Sequence, residues 1–314
     1  MANADLIKKL RENTGCGMSD CNKALNENAD DYDKAVEWLR KKGLSSAAKK
    51  SARVAAEGVV GIKNTENIAT IVEVNSETDF VARNEKFQAF VNSIMFPALK
   101  IQEKDSEKFA ECLKDEKCEG SSEKIADTLV NNIATIGENL KIRRGKTIAL
   151  HGNGLIVDYV HSAVAPGLGK IGVLVALLSD APQDKLEELG KGIAMHIAAS
   201  KPEFLKEKEV PQSKIDSEKS IAKEKAKQSG KPDNIIEKMV EGSVKKYFEE
   251  SVLLDQSYVM DPSKKISDVL KDFEKANGTS IEIQEFVLFI LGEGIEKKTM
   301  DFAEEVASIT GGTK

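Results

Sequence analysis

The chain has 314 residues, 46 basic and 52 acidic, for a net charge of −6, with 31% charged and 40% apolar residues. That is the profile of a soluble globular protein of about two domains. An apolar run such as 173–178 falls far short of the ~20 residues a membrane span needs, and Met1-Ala2-Asn3-Ala4-Asp5 lacks the basic and apolar regions of a secretory signal.

Residues 1–43 read as a small helical bundle. Leu6, Ile7 and Leu10 fall at helical spacing, as do Met18, Cys21, Ala24 and Leu25, then Tyr32, Ala35, Val36 and Leu39. Thr14-Gly15-Cys16-Gly17 and Asn28-Ala29-Asp30-Asp31 supply turn and cap chemistry between them, and Gly43 is expected to end the third helix. An alanine- and lysine-rich connector, 44–57, follows and reads as helical. Next come two β runs, 58–62 and 68–75, around Asn64-Thr65-Glu66-Asn67, the pattern of a hairpin. Asn84 is placed to cap a helix with Phe87, Phe90, Val91, Ile94 and Met95 on one face. Residues 101–124 are charged, helical or looped, and 125–140 form a further helix. This first α+β unit spans 58–141.

A similar pattern then returns in 142–212. The β runs 142–151 and 155–160 flank Gly152-Asn153-Gly154, a strong hairpin signal. The run 171–178 is apolar on both faces, as in a central strand, and a helix follows with Leu186, Leu189, Ile193, Ala194 and Ile197. Two units of hairpin and helix suggest a paired α+β core. Residues 213–257 change character: two charged helices with thin apolar stripes meet at Gly230-Lys231-Pro232, a projecting antiparallel coiled coil. The β run 280–292, within a returning segment 258–298, rejoins the sheet, and 301–309 in a C-terminal module, 299–314, is a closing amphipathic helix.

Few residues here are suited to bond chemistry. The chain has no phosphate-binding P-loop, no G-x-S-x-G elbow and no H-E-x-x-H. Gly167-Leu168-Gly169 is a turn without the third glycine of a dinucleotide site. Cys16/Cys21 and Cys112/Cys118 are spaced C-x4-C and C-x5-C with no histidine nearby, so they read as reduced intracellular thiols. Only six arginines occur, and none after Arg144, which argues against nucleic-acid reading. His196 sits on an apolar helix face as a core or interface histidine. His161 follows a strand and serves either as loop support or as a contact. The most unusual feature is Thr78-Asp79-Phe80-Val81, with large apolar residues between a strand and a helix. Either Phe80 and Val81 fold back onto the sheet or staple the helix entry, or the loop presents an acid beside an aromatic wedge to a partner.

Thr78-Asp79-Phe80-Val81-Ala82-Arg83-Asn84 resembles the signature of bacterial-type translation elongation factor Ts. So do Thr14-Gly15-Cys16-Gly17-Met18-Ser19-Asp20-Cys21, Ile136-Gly137-Glu138-Asn139, Met195-His196-Ile197-Ala198-Ala199-Ser200-Lys201-Pro202, Gly230-Lys231-Pro232 and Gly292-Glu293-Gly294-Ile295-Glu296-Lys297, in order along the chain. The resemblance implies an α+β protein: a ubiquitin-associated-like three-helix bundle, a core of two α+β subdomains, a protruding antiparallel coiled coil and a C-terminal helical module. It implies guanine nucleotide exchange on elongation factor Tu, GDP-bound and nucleotide-free; the lack of an Arg- and Ser-rich leader favours the bacterial cytoplasm, or an already processed chain, over an organelle matrix. No catalytic residue, metal or cofactor is implied, nor any membrane or direct nucleic-acid partner. By the same resemblance Thr78, Asp79, Phe80 and Val81 dislocate the partner's Mg2+. Ile136 and Gly137 pack beside the nucleotide site, Met18, Val259 and Met260 grip another helix of the same domain, and His161 touches the partner's far end. Ser19 stands where some relatives carry a second methionine, which leaves the N-terminal grip to Met18. The segments 104–122 and 162–169 look longer than in compact relatives. An adaptor reading a peptide through 1–43, and a hydrolase built on His196 or His161, are the competing readings from other classes.

Overall fold

The computed structural model describes residues 4–65, 67–228 and 232–296. The fold is α+β, as the sequence pattern requires. Helices α1 (Ala4–Thr14), α2 (Met18–Glu27) and α3 (Tyr32–Lys50) pack around Leu10, Cys21, Ala24, Leu25, Ala35 and Leu39. Gly43 does not end α3. It lies within the helix, facing Val130 and Ala134 of α7 (Ile125–Ile136). Ala47, Ala48, Lys49 and Lys50 are good helix formers and carry α3 onward. Arg40 reaches Asp127 across the same contact, at 2.9 Å.

Strands β1 (Glu57–Thr65) and β2 (Ile68–Ser76) form the expected hairpin. A single helical turn, α4 (Asp79–Ala82), leads into α5 (Glu85–Ala98), whose cap is Asn84: its side chain accepts from the amides of Lys86 and Phe87. The segment 104–122 contributes four buried side chains to the core, Cys118 among them. Phe109, Ala110 and Leu113 of α6 (Ser106–Asp115) are buried, and the Phe109 ring occupies the space a Cβ on Gly145 would need. Helix α7 stops at Ile136, short of the expected 140, because Gly137 turns into the left-handed region (φ 91°) and returns its N–H to the Ile133 carbonyl.

The second expected hairpin does not form. Strand β3 (Lys141–Ala149) pairs with β2, placing Lys146 opposite Ile71. Strand β4 (Gly154–His161) pairs instead with β6 (Ile171–Leu178), placing Ile156 opposite Ala176. Gly152-Asn153-Gly154 is a crossing between sheets. The free edge of β2 needs a hydrogen-bonding partner, and β3 supplies it. Strand β3 therefore joins the first sheet, whose order is β3-β2-β1-β5 with β5 at Leu168–Gly169. The second sheet is β4-β6-β9, closed by β9 (Glu282–Ile290), so the run 171–178 is its central strand.

The two sheets stack face to face. Val60, Ile62, Ala69, Ile71 and Ile148 of the first meet Ile156, Leu174, Ala176, Val287 and Phe289 of the second. Helices α5, α6 and α7 cover the outer face of the first sheet. Helices α8 (Gln183–Ser200) and α11 (Ile266–Asn277) cover the second. Burial on both faces explains the unbroken apolar character of β6. At one end the sandwich is latched by Glu73, a fully buried carboxylate that takes Arg143 at 3.0 Å, Arg144 at 2.6 Å and the Gly292 amide at 2.9 Å. Burial opposes its charge, but the Gly292 amide, Asn75 and Arg144 outweigh that and lower its pKa from 4.5. Helices α9 (Gln212–Lys227) and α10 (Asp233–Ser251) pack together through Ala222, Ala226 and Ile236. Gly230 and Lys231 of the expected turn, and the expected C-terminal helix at 301–309, lie outside the described residues.

Candidate partner-binding surface

The Thr78-Asp79-Phe80-Val81 segment is a turn of helix with its apolar residues split. Val81 is 6% exposed and joins Ala82, Phe87 and Val91 in the same core cluster. Phe80 is 80% exposed, and Asp79 beside it also faces solvent. Val81 folds back into the core, whereas Phe80 stands in solvent. Helical geometry gives the split, since consecutive residues on a helix project about 100° apart.

The base of this turn is held by residues that sequence reasoning did not single out. The Glu138 carboxylate accepts the amides of Glu77 and Thr78, at 3.1 and 3.0 Å, on one oxygen. Its other oxygen accepts the Thr78 hydroxyl at 2.6 Å. In return Glu77 accepts the Asn139 amide at 2.6 Å, and Arg53 approaches Glu77 at 3.4 Å. The Asn139 side chain donates to the Arg53 carbonyl at 2.8 Å. Two motifs about 60 residues apart in sequence are thus clasped together. The signal lay in Glu138 and Asn139 directly following Ile136-Gly137. Ile136 is partly buried against the core, and Gly137 is exposed.

Met18 opens α2 and is 60% exposed. Gly15 (φ 66°) breaks the chain just before it, and a side chain would be strained there. The neighbouring thiols follow the structural reading: Cys21 is buried, with its pKa raised by desolvation and then by Cys16.

Val259 and Met260, 47% and 54% exposed, form the tip between β7 (Ser257–Tyr258) and β8 (Asp261–Lys265). This tip is tied down from behind by His196. The buried imidazole accepts the Val259 amide on Nδ1 at 3.2 Å, so its Nε2–H donates to the Gln256 side-chain Oε1 at 2.9 Å. The Gln256 side-chain amide donates to the carbonyls of Glu250 and Ser200. Desolvation lowers the His196 pKa below its ordinary value, while Gln256 works in the opposite sense. His196 is thus the satisfied core histidine expected from its helix face, with a tip to support. His161, exposed at the end of β4, meets the Tyr159 hydroxyl at 3.0 Å through Nδ1. No group of His, Cys, Asp and Glu among the described residues is placed to hold a metal ion.

The structure therefore joins the 78–81 turn to the 136–137 corner through Glu138. The Val259-Met260 tip is held by a separate network, and Met18 is carried on the bundle that docks against α7. Phe80, Met18, Val259 and Met260 are thus large apolar side chains left exposed at turns and tips whose backbones are held from behind.

The family model described as "Elongation factor TS" matches residues 77–293. The chain is 51% identical over 308 residues to elongation factor Ts of Rhodospirillum centenum, covering 98% of each chain. It is 50% identical over 308 residues to those of Paramagnetospirillum magneticum and Zymomonas mobilis, covering 98% of this chain and 97% and 98% of theirs. The chain belongs to the elongation factor Ts family. That makes it a translation elongation factor, with relatives in bacteria. No helix among the described residues is long and apolar enough to cross a membrane.

Proposed function

We propose that this protein is a guanine nucleotide exchange factor for elongation factor Tu, acting in the bacterial cytoplasm without bond-making chemistry of its own. The observation that carries the reading is Phe80: an aromatic ring held in solvent on a turn whose other apolar residue, Val81, is anchored in the core. Asp79 and Phe80 enter the partner's GTPase domain near its magnesium site, with Ile136 and Gly137 packing beside them. Met18, Val259 and Met260 hold a helix of the same domain, and His161 meets the far end of the partner.

Physical chemistry supports exchange by shape. Magnesium bridges nucleotide phosphates through few protein oxygens and several waters, so disturbing that shell removes much of the grip on GDP. Binding energy gathered at the remote tips supports the local distortion, because a ligand shifts an equilibrium only by its differential affinity for the two states. Reciprocity follows: if this protein weakens GDP binding by some factor, GDP weakens its binding by the same factor. The complex is then transient whenever nucleotide returns.

The test is release of a fluorescent GDP from the cognate GTPase as magnesium concentration is varied. Acceleration that saturates with this protein is expected, and its absence at saturation would sink the reading. Deleting residues 1–43 separates the adaptor alternative: an exchange factor keeps weakened binding through its core, whereas an adaptor loses its partner.

A further inference from the structure

The Glu138 clasp is more than a fold contact. We infer that Glu138, reciprocated by Glu77, is a positioning residue that makes the 78–81 turn and the 136–137 corner one rigid unit, so that Phe80 is presented already ordered. This inference rests on the exchange reading above and adds to it the residues that hold the wedge.

The geometry supports a positioning role in three ways. First, Thr78, the N-cap residue of α4, makes no side-chain cap hydrogen bond. A helix start leaves amides without partners. The amides of Glu77 and Thr78 at this entry are satisfied by a carboxylate from elsewhere in the chain. Second, the clasp is reciprocal, since Glu77 accepts the Asn139 amide while Glu138 accepts the Glu77 amide. Movement of either segment breaks charge-assisted bonds on both. Third, Glu138 directly follows Gly137, whose left-handed turn swings the chain off α7 and toward the turn. A ring as exposed as Phe80 has little packing to hold it, so the backbone beneath must supply its order. Pre-ordering removes an entropy cost that would otherwise be met during the distortion step.

The experiment measures GDP release against concentration of the full chain, which separates the maximal rate from half-saturation. Glu138→Ala is expected to lower the maximal rate roughly tenfold, with half-saturation changed less than about threefold. Glu138→Gln is expected to retain most of the rate. Its carboxamide oxygen accepts both amides, and its NH2 donates to a Thr78 hydroxyl turned to accept. Glu77→Ala, which leaves Glu138 in place, is expected to cost roughly threefold in the same direction. Combining Glu138→Ala with Phe80→Ala is expected to be sub-additive, because order in the turn matters little once the ring is gone. Amide hydrogen exchange on the free protein adds a partner-independent reading, with faster exchange at Glu77 and Thr78 in Glu138→Ala.

An unchanged maximal rate in both alanine variants, or additive losses with Phe80→Ala, overturns the positioning role while leaving exchange intact. A wild-type chain that fails to accelerate release overturns the exchange reading itself. If Glu138→Ala does not stay folded at assay temperature, Glu77→Ala and its cycle with Phe80→Ala decide the same question.

Discussion

Replacing Phe80 by alanine separates function from fold more cleanly than any other single change. The ring is 80% exposed, so truncation removes little packing and creates no cavity. The position lies in a helical turn, where alanine is favoured. Stability of the free protein should therefore move by no more than about 0.5 kcal/mol. Burying a phenylalanine contributes about 1.5–3 kcal/mol, and four fifths of that gain is still unrealised in the free chain. The partner complex thus stands to lose about 1–2.5 kcal/mol, roughly 5- to 60-fold. If the ring acts as a wedge, the loss falls on the GDP-release rate at saturating protein, with the dissociation constant changed much less. Stopped-flow release of fluorescent GDP and thermal unfolding of the free variant measure the two sides. A loss of stability above 1 kcal/mol, or a release rate equal to wild type, would refute the reasoning. Val81→Ala, one residue on and buried, is the converse control and should cost about 2 kcal/mol of stability.

Glu73→Gln removes the counter-charge of Arg143 and Arg144 inside the seam. Breaking a buried pair costs about 3–5 kcal/mol, but these guanidinium groups are 21% and 19% exposed and partly screened, so about 2–3 kcal/mol is expected in urea unfolding. Because folding lowers the Glu73 pKa from 4.5, its contribution is complete above that pH and fades as pH falls further, and the Gln variant should lack that component of acid unfolding. His196 behaves in a related way: its folded pKa lies below 6.5, so the unfolded chain binds the proton first and stability falls as pH drops from about 6.5. His196→Gln should flatten the unfolding midpoint between pH 7 and 5, and an unchanged pH slope would count against the buried neutral ring. Gly145→Ala places a methyl against the Phe109 ring and should destabilise by about 1–3 kcal/mol, with Phe109→Leu as the compensating second change.

One residue of the candidate site was legible because it breaks a local rule. Phe80 stood out as a large aromatic in a connection, and Met18, Val259 and Met260 emerged with it through resemblance. All four are exposed in the folded chain. The division of labour between Phe80 and Val81 was not legible, because it depends on the orientation of a four-residue turn against the core. Glu138, quoted only as part of a motif, and Glu77 were given no role for a similar reason. A charged residue looks like a solvated one until the segment opposite it is known.

The amino-acid pattern by itself determined the α+β class, the 57–76 hairpin, the capped helix after Asn84 and the double-faced apolar strand at 171–178, since each follows from periodicity and capping within a short window. It also determined membership of a family through ordered motifs over the whole chain. Tertiary structure alone decided the rest. Gly152-Asn153-Gly154 has the chemistry of a hairpin, yet β3 pairs with β2 and β4 with β6, because open strand edges and the two sheet faces compete for partners across the whole molecule. Gly43 carries the mark of a helix end, yet α3 runs on against α7. Local chemistry sets which conformations are cheap; long-range burial and hydrogen-bond satisfaction select among them, and those terms depend on contacts far apart in the chain.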